Sequence, residues 1–368
     1  MPFIFKLLGR FMAHVGNWRP SQESWIMSNQ LELLESIVPE MVDGFLRRYD
    51  ILRAIAPLEP VGRRVLADRV HLSERVLRTE TDTLRSQGLI ISSQTGMSLT
   101  EDGRKVEEGL EGLANQLWGL KSREDQLASK LGIEQCIIVR GNSDRQWGVT
   151  QQLGFSLNEA LAKLLPEGNN TIVVMGGSTM AAVAAGLTTA LSRGRGLLFV
   201  PGRGGMGESV RRQANSVAAT MASQTGGQSR SLYIPEQLSE DTYHPLLNEP
   251  SVKAVMDLIA RAQVAIHGIG RADDMARRRE IDEKTQSLLH EAHAIGEAFG
   301  CFYDKDGKVV YRVPRLGLQL EDAKHFNHVV AIASGSDKAE AIDAYMKIAP
   351  KQTVLITDEG AANLILKK

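Results

Sequence analysis

Cysteine is nearly absent from this chain of 368 residues, with only Cys136 and Cys301 present. They lie far apart and form no Cys-x-x-Cys pair. That excludes a disulfide framework and a cysteine-ligated zinc site, and it points to a reducing cytoplasm. An excess of charge of one sign is missing too: the net charge is −1, which excludes a histone-like or polybasic coat for nucleic acid. Aromatic residues are few, at 5 %, yet 43 % of the chain is apolar and 24 % charged. This is ordinary globular composition, and disordered, collagen-like and coiled-coil classes are excluded. Internal repeats and low-complexity tracts are lacking.

Long hydrophobic runs are scarce. The start, Met1 to Gly16, is broken by Lys6 and Arg10 and has no small-residue cleavage site, so it reads as neither signal peptide nor membrane span. Gly168 to Ser192 carries no charge. It holds Gly176-Gly177-Ser178-Thr179 in its middle, behind β-branched Ile172-Val173-Val174, so a buried strand, turn and helix are predicted there.

The length calls for two or three domains. Residues 1–27 form an irregular extension in which Met27 is an alternative translation start. Residues 28–109 read as short helices plus a hairpin. An apolar helical face runs from Leu33 to Ile55 and stops at Pro57 and Pro60; a second short helix follows Gly62. Ser73 stands at an N-cap ahead of Glu74, and Gly88 closes that helix. Leu89-Ile90-Ile91 and Met97-Ser98-Leu99 flank a polar turn as a two-stranded ribbon. This is the element order of a winged helix-turn-helix, a reader of double-stranded DNA. Nine arginines and no lysine lie between Arg47 and Arg85, and guanidinium forks suit phosphates and guanine edges. Val76, Leu77, Thr81 and Leu84 are predicted to face inward. Ser73, Arg75, Arg78 and Thr79 are the candidates for base edges, and Arg63, Arg64 and Arg104 for phosphates. The competing reading has these arginines solvating a small helical domain through pairs with Asp68, Glu74, Glu80 and Asp82.

Residues 110–134 read as a leucine-rich helical linker that either pairs protomers or packs on its own chain. Residues 135–368 alternate apolar strands with helices, which predicts an α/β, doubly wound, mostly parallel sheet. Strands are expected at 136–139, 171–175, 196–200, 231–234, 263–267, 328–333 and 353–357. Helices are expected at 157–165, 180–191, 209–222, 252–262, 281–294 and 339–347, with an inserted hairpin at 303–312. The Gly176-Gly177-Ser178-Thr179 turn suits a phosphate, although no P-loop lysine follows. Arg203, Arg271 and Lys338 stand in further turns at strand ends, where ligands of doubly wound sheets bind. Two anion-friendly turns suggest a ligand with two negative groups, such as a sugar bisphosphate.

Pro201-Gly202-Arg203-Gly204-Gly205, His267-Gly268-Ile269-Gly270, Glu297-Ala298-Phe299-Gly300 and Thr357-Asp358-Glu359-Gly360-Ala361-Ala362 are further blocks at strand ends. With the winged helix-turn-helix and the Gly-Gly-Ser-Thr sheet domain, they resemble the sorbitol-operon-regulator (SorC) family of bacterial transcription factors, from about Gln30 to the end. The resemblance implies a repressor of glycolytic operons whose effector is fructose 1,6-bisphosphate, bound in a domain related to sugar-phosphate isomerases and deaminases. It implies no metal or catalytic cofactor, and a homo-oligomer, dimer or tetramer, on operator DNA. Carried over, Gly176, Gly177, Ser178 and Thr179 would meet one phosphate, with Arg203, Gln213, Arg278, Glu297 and Lys338 completing the pocket. The adjacent Arg277 and Arg279 leave the register of Arg278 open, and Arg271 stands where an acidic residue is expected. The rival is an active isomerase or deaminase with a regulatory head, using His244, His267, Asp273 or Glu297 to move protons. A purely structural module is the third possibility.

Overall fold

The computed structural model describes residues 37–368 except 71, 94, 147, 206–208 and 236–239. The expectations for residues 1–27 and the first turns of the helical face at Leu33 lie outside the described residues. The chain divides into two compact units, the second running from Arg123 to Lys368.

In the first unit, α1 (Pro39–Ile55), α2 (Arg63–Arg69) and α3 (Glu74–Ser86) precede the antiparallel ribbon β1 (Ile90–Ser92) and β2 (Met97–Leu99). Helix α4 (Glu101–Leu117) follows. Ile51, Ile55, Leu66, Leu77, Leu84, Ile90 and Leu99 make the core. In α3 the buried residues are Leu77, Glu80, Thr81 and Leu84, an i, i+3, i+4, i+7 stripe. Val76, expected inside, is exposed, because it falls one position off that stripe. The Ser73 hydroxyl accepts the Val76 N–H at 3.4 Å as the N-cap, and Gly88 leaves the helix with φ +74°.

Helix α5 (Leu120–Leu131) starts in the first unit and passes into the second at Arg123. The expected linker of residues 110–134 spans the end of α4 and all of α5. Leu120, Leu127 and Leu131 are buried within the chain, while Leu110, Leu113 and Leu117 are half-buried.

The second unit is built on β3 (Gln135–Val139), β4 (Gly168–Val174), β5 (Arg195–Pro201), β6 (Gln228–Ser229), β7 (Val264–Gly268), β12 (His328–Ile332) and β13 (Thr353–Asp358). Their order in the sheet is β3-β13-β12-β7-β4-β5-β6, and all pairs are parallel. Ile172, Val173, Val174, Ala265, Ile266, Val330 and Leu355 have no exposed surface, as continuous apolar strands covered on both faces require. The order reverses between β4 and β7, which opens a crevice at their carboxyl ends. A four-stranded antiparallel sheet hangs beyond β7: β8 (Gly270–Arg271), β9 (Gly296–Ala298), β10 (Cys301–Tyr303) and β11 (Val309–Arg312). Its β10–β11 hairpin is the inserted one.

Three local expectations are corrected. Ser231 to Ile234 is not a strand; β6 lies earlier and only Leu232 and Ile234 turn inward. The helix after the Gly-Gly turn, α7 (Ser178–Val183), gives way to short 3-10 turns by Ala184. A Cβ on Gly186 would lie 2.5 Å from the Gly154 carbonyl carbon, so α6 (Val149–Leu164) passes too close for the helix to continue. The helix expected from Ser209 begins at Ala214, as α8 (Ala214–Thr225). Among the described residues no helix is long and apolar enough to cross a membrane.

Candidate functional site

The site forms where the β4 and β12 turns meet. Gly177, with φ +131°, turns the chain from β4 into α7, a conformation that favours glycine. Gly176 has no room for a side chain: a Cβ there would lie 2.5 Å from the Arg212 carbonyl and 2.6 Å from Arg203 Nη2. The Gly177 N–H is donated to the Arg212 carbonyl at 2.8 Å. The hydroxyls of Ser178 and Thr179 come next.

Two cations face these hydroxyls. Arg278, at the end of α11 (Ala272–Arg278), donates to Ser178 Oγ at 3.4 Å. Lys338, in the turn before α13 (Ala339–Met346), donates to Thr179 Oγ1 at 3.3 Å. Loss of solvent lowers the pKa of Lys338, and the Arg278 charge lowers it further, against the pull of Asp144, Asp274 and Asp358. Two cations this close, partly stripped of water, have the chemistry to receive an oxyanion. The turns at Gly177 and Gly335, both expected to be anion-friendly, meet here through Thr179 and Lys338.

The adjacent arginines have three different partners. Arg277 pairs with Asp274 at 2.5 Å and is mostly exposed. Arg278 reaches the site. Arg279 is buried and pairs with Glu297 at 3.0 Å. Glu297 also accepts the Gly300 N–H at 2.6 Å, so its carboxylate ties β9 to the helix end. Arg203 is buried with its guanidinium against Gly176. Gln213, at the N-cap of α8, borders an open cleft of about 680 Å³ with Gly205, Asn215 and Tyr233. Arg271 lines a different cleft, of about 1000 Å³, with Asp273, Arg277, His290 and Glu291. Neither Ser178, Thr179 nor Lys338 borders that cleft.

The carboxylate of Asp358 was not expected in the site's architecture. It has no exposed surface and accepts N–H groups from Ser143 at 2.7 Å, Gly335 at 2.9 Å and Ala361 at 2.9 Å. Asp144 accepts the Asp337 N–H at 3.1 Å, and Asn142 donates to Ser336 Oγ at 2.9 Å. The polar run after β3, Asn142-Ser143-Asp144, therefore braces the Lys338 turn. Its only signal in the sequence is a short polar stretch directly after an apolar strand.

His267 is the penultimate residue of β7 and is buried. Its Nδ1 donates to the Gly268 carbonyl at 3.0 Å, which leaves Nε2 to accept the Tyr345 hydroxyl at 3.2 Å. Burial pushes its pKa down to about 4. The neutral ring is thus committed to structural hydrogen bonds. The side chain of His244 lies outside the described residues.

In the first unit Ser73, Arg75, Arg78 and Thr79 are exposed on one end of α3, and Arg63 and Arg64 are exposed on α2. Arg47 and Arg48 serve the fold: both pair with the buried Glu80, at 3.2 and 2.9 Å, and clamp α3 to α1. Arg104, expected at phosphates, pairs instead with Glu59, whose other oxygen accepts the Leu99 N–H. Arg78 approaches Asp82 only at 3.9 Å and remains 70 % exposed. The pairing of arginines with Glu80 and Asp82 is therefore real, but it leaves the amino-terminal end of α3 open.

Two family models match the chain. The CggR N-terminal DNA binding domain matches residues 45–114, and the sugar-binding domain family matches residues 116–367. The central glycolytic genes regulator of Bacillus subtilis is 40 % identical over 341 residues, covering 93 % of this chain and 99 % of that protein. A crystal structure of a SorC family transcriptional regulator from Enterococcus faecalis is 51 % identical, covers 67 % of this chain and 99 % of that one, and superposes with a TM-score of 0.64. The full-length sorbitol operon regulator of Klebsiella pneumoniae shares the fold at 18 % identity, with a TM-score of 0.60 over 83 % of this chain and 94 % of that one. These relatives are transcriptional regulators, not enzymes. The chain belongs to the SorC family of transcriptional regulators, with a DNA-binding domain followed by a sugar-binding domain.

Proposed function

We propose that the protein represses glycolytic genes and releases its operator when fructose 1,6-bisphosphate binds the second unit. The observation that carries this reading is the convergence of Arg278 and Lys338 on Ser178 and Thr179. That cluster offers two cations and two hydroxyls to one phosphoryl group. Gly177 leaves open space beside it and Gly176 lets the Arg203 guanidinium pack close, while Arg203 and Gln213 near Gly205 supply polar groups for the rest of the ligand. Glu297, held by Arg279, stands as an acceptor for sugar hydroxyls. The name of the Bacillus subtilis relative supports glycolytic genes as the target.

Operator DNA is read by Ser73, Arg75, Arg78 and Thr79, with Arg63 and Arg64 on phosphates. One head of this size gives weak specific binding, so a dimer or tetramer acts on paired half-sites in the cytoplasm. Effector binding shifts the balance between protomer arrangements through its different affinity for each. A mobility-shift titration on DNA from upstream of the host's glycolytic operon tests both parts. Fructose 1,6-bisphosphate is expected to weaken the complex where fructose 6-phosphate does not. Equal responses to both sugars, or none, would reject the bisphosphate.

A further inference from the structure

The end of β13 and the first turn of the helix that follows it, Glu359–Lys367, hold no candidate ligand group, yet their carboxylates tie together several turns near the site. Asp358 fixes the amide of Gly335, three residues before Lys338. The next residue, Glu359, divides its carboxylate. Its Oε2 accepts the Gly141 N–H at 2.8 Å. Its Oε1 accepts Arg123 Nη2 at 2.5 Å, and Arg123 Nη1 reaches Asn363 Oδ1 at 3.2 Å. Arg123 is the first residue of the second unit and sits on α5, the helix that arrives from the DNA-binding unit. Glu124 beside it accepts the Ile138 N–H at 2.8 Å. The Lys338 turn and the incoming helix therefore hang on adjacent residues at the junction of β13 with the helix that follows it.

We propose that the Glu359–Arg123 pair is the joint that passes effector binding at Lys338 to the DNA-binding unit. This rests on the reading that a phosphoryl group binds at Lys338. An anion there pulls on the turn from Ser334 to Lys338, and the Gly335 amide moves with it against the Asp358 carboxylate. Glu359 is covalently next, so its carboxylate shifts too. The planar fork of Arg123 holds both Glu359 and Asn363, so it follows direction as well as distance. Arg123 and Glu359 keep 27 % and 22 % of their side-chain surface. The pair is mostly buried, so it fixes where Arg123 sits against the Glu359 carboxylate.

The test uses the full chain and compares the wild type with Arg123→Gln, Glu359→Gln and Arg123→Lys. Two quantities are read: fructose 1,6-bisphosphate affinity by calorimetry, and operator affinity with and without that sugar. Both Gln variants are expected to bind sugar and free operator like the wild type. The sugar-induced change in operator affinity should shrink about tenfold, within the usual range of allosteric coupling. Arg123→Lys, which keeps the charge but loses the fork, should recover part of it. An unchanged sugar response in the Gln variants overturns the joint while leaving the effector reading intact. Loss of operator or sugar binding itself in both Gln variants also overturns it, because the pair is then plain support. A wild type that binds operator and ignores the sugar overturns the effector reading and the joint with it.

Discussion

Lys338 donates to Thr179 at 3.3 Å although 159 positions separate them. Strand β7 lies between β4 and β12 in the sheet, so the two side chains must reach over its end to meet. That span places a cation above the crevice where the strand order reverses. With Arg278 on Ser178, the result is a local cluster of two cations in a protein of nearly neutral net charge.

Removing either partner should weaken the effector and spare the DNA. Hydrogen bonds to charged groups are worth about 1.5–3 kcal/mol, so Lys338→Gln should raise the sugar bisphosphate Kd roughly 10- to 100-fold. Thr179→Ala should act in the same direction and by less, since the ammonium remains. Calorimetry measures both, and operator affinity without sugar should stay at the wild-type value. Unchanged sugar affinity in Lys338→Gln would move the anion site elsewhere.

The same lysine should make effector binding sensitive to alkaline pH. Burial and the Arg278 charge lower its pKa from the ordinary value of 10.5, so in the free protein it loses its proton earlier than an exposed lysine. A bound phosphoryl group favours the charged form and raises the pKa again. Binding therefore takes up protons as the pH approaches that lowered pKa, and affinity falls above it. Calorimetry in two buffers of different ionisation enthalpy should detect the uptake. Lys338→Arg, which stays charged, should not show it, and proton uptake of the same size there would assign the effect to another group.

The order of elements is legible in the sequence because apolar runs bounded by glycine turns can hardly be read otherwise. The DNA-binding unit is legible for the same reason, down to the Ser73 cap and Gly88. What fails is phase and long-range partnership. Val76 looks like core by composition and lies one residue off the stripe set by Leu77, Glu80 and Leu84. Arg277, Arg278 and Arg279 are indistinguishable as letters; only the end of α11 sends one to Asp274, one to Ser178 and one to Glu297. Asp358 is invisible because its partners come from turns far apart in the chain.

Arginines in the first unit should separate by role. Arg78→Ala should cut discrimination between operator and scrambled DNA by about 10- to 100-fold per half-site, since a base contact is worth about 1–3 kcal/mol. Arg63→Ala and Arg64→Ala should weaken both DNAs alike and flatten the salt dependence, by about one counterion per phosphate contact. Neither change should touch stability, because all three side chains are exposed. Fluorescence anisotropy over a salt series distinguishes the cases. Undiminished discrimination in Arg78→Ala would mean that Arg78 does not read a base.

His267 should make the second unit labile to acid. In the unfolded chain an imidazole takes up its proton near pH 6.5, whereas in the fold burial delays this until about pH 4. Between those values the unfolded chain binds more protons, so stability is complete above about pH 6.5 and falls as the pH is lowered. By pH 4 the loss approaches about 3 kcal/mol, at about 1.36 kcal/mol per pH unit. Protonation would also end the acceptance of the Tyr345 hydroxyl at Nε2. His267→Gln should remove this portion of the pH dependence, at the expense of some stability at neutral pH from altered packing against Phe299 and Tyr345. Urea midpoints at several pH values for both proteins give the comparison. Parallel profiles would assign the acid lability to the carboxylates and leave His267 without a part in it.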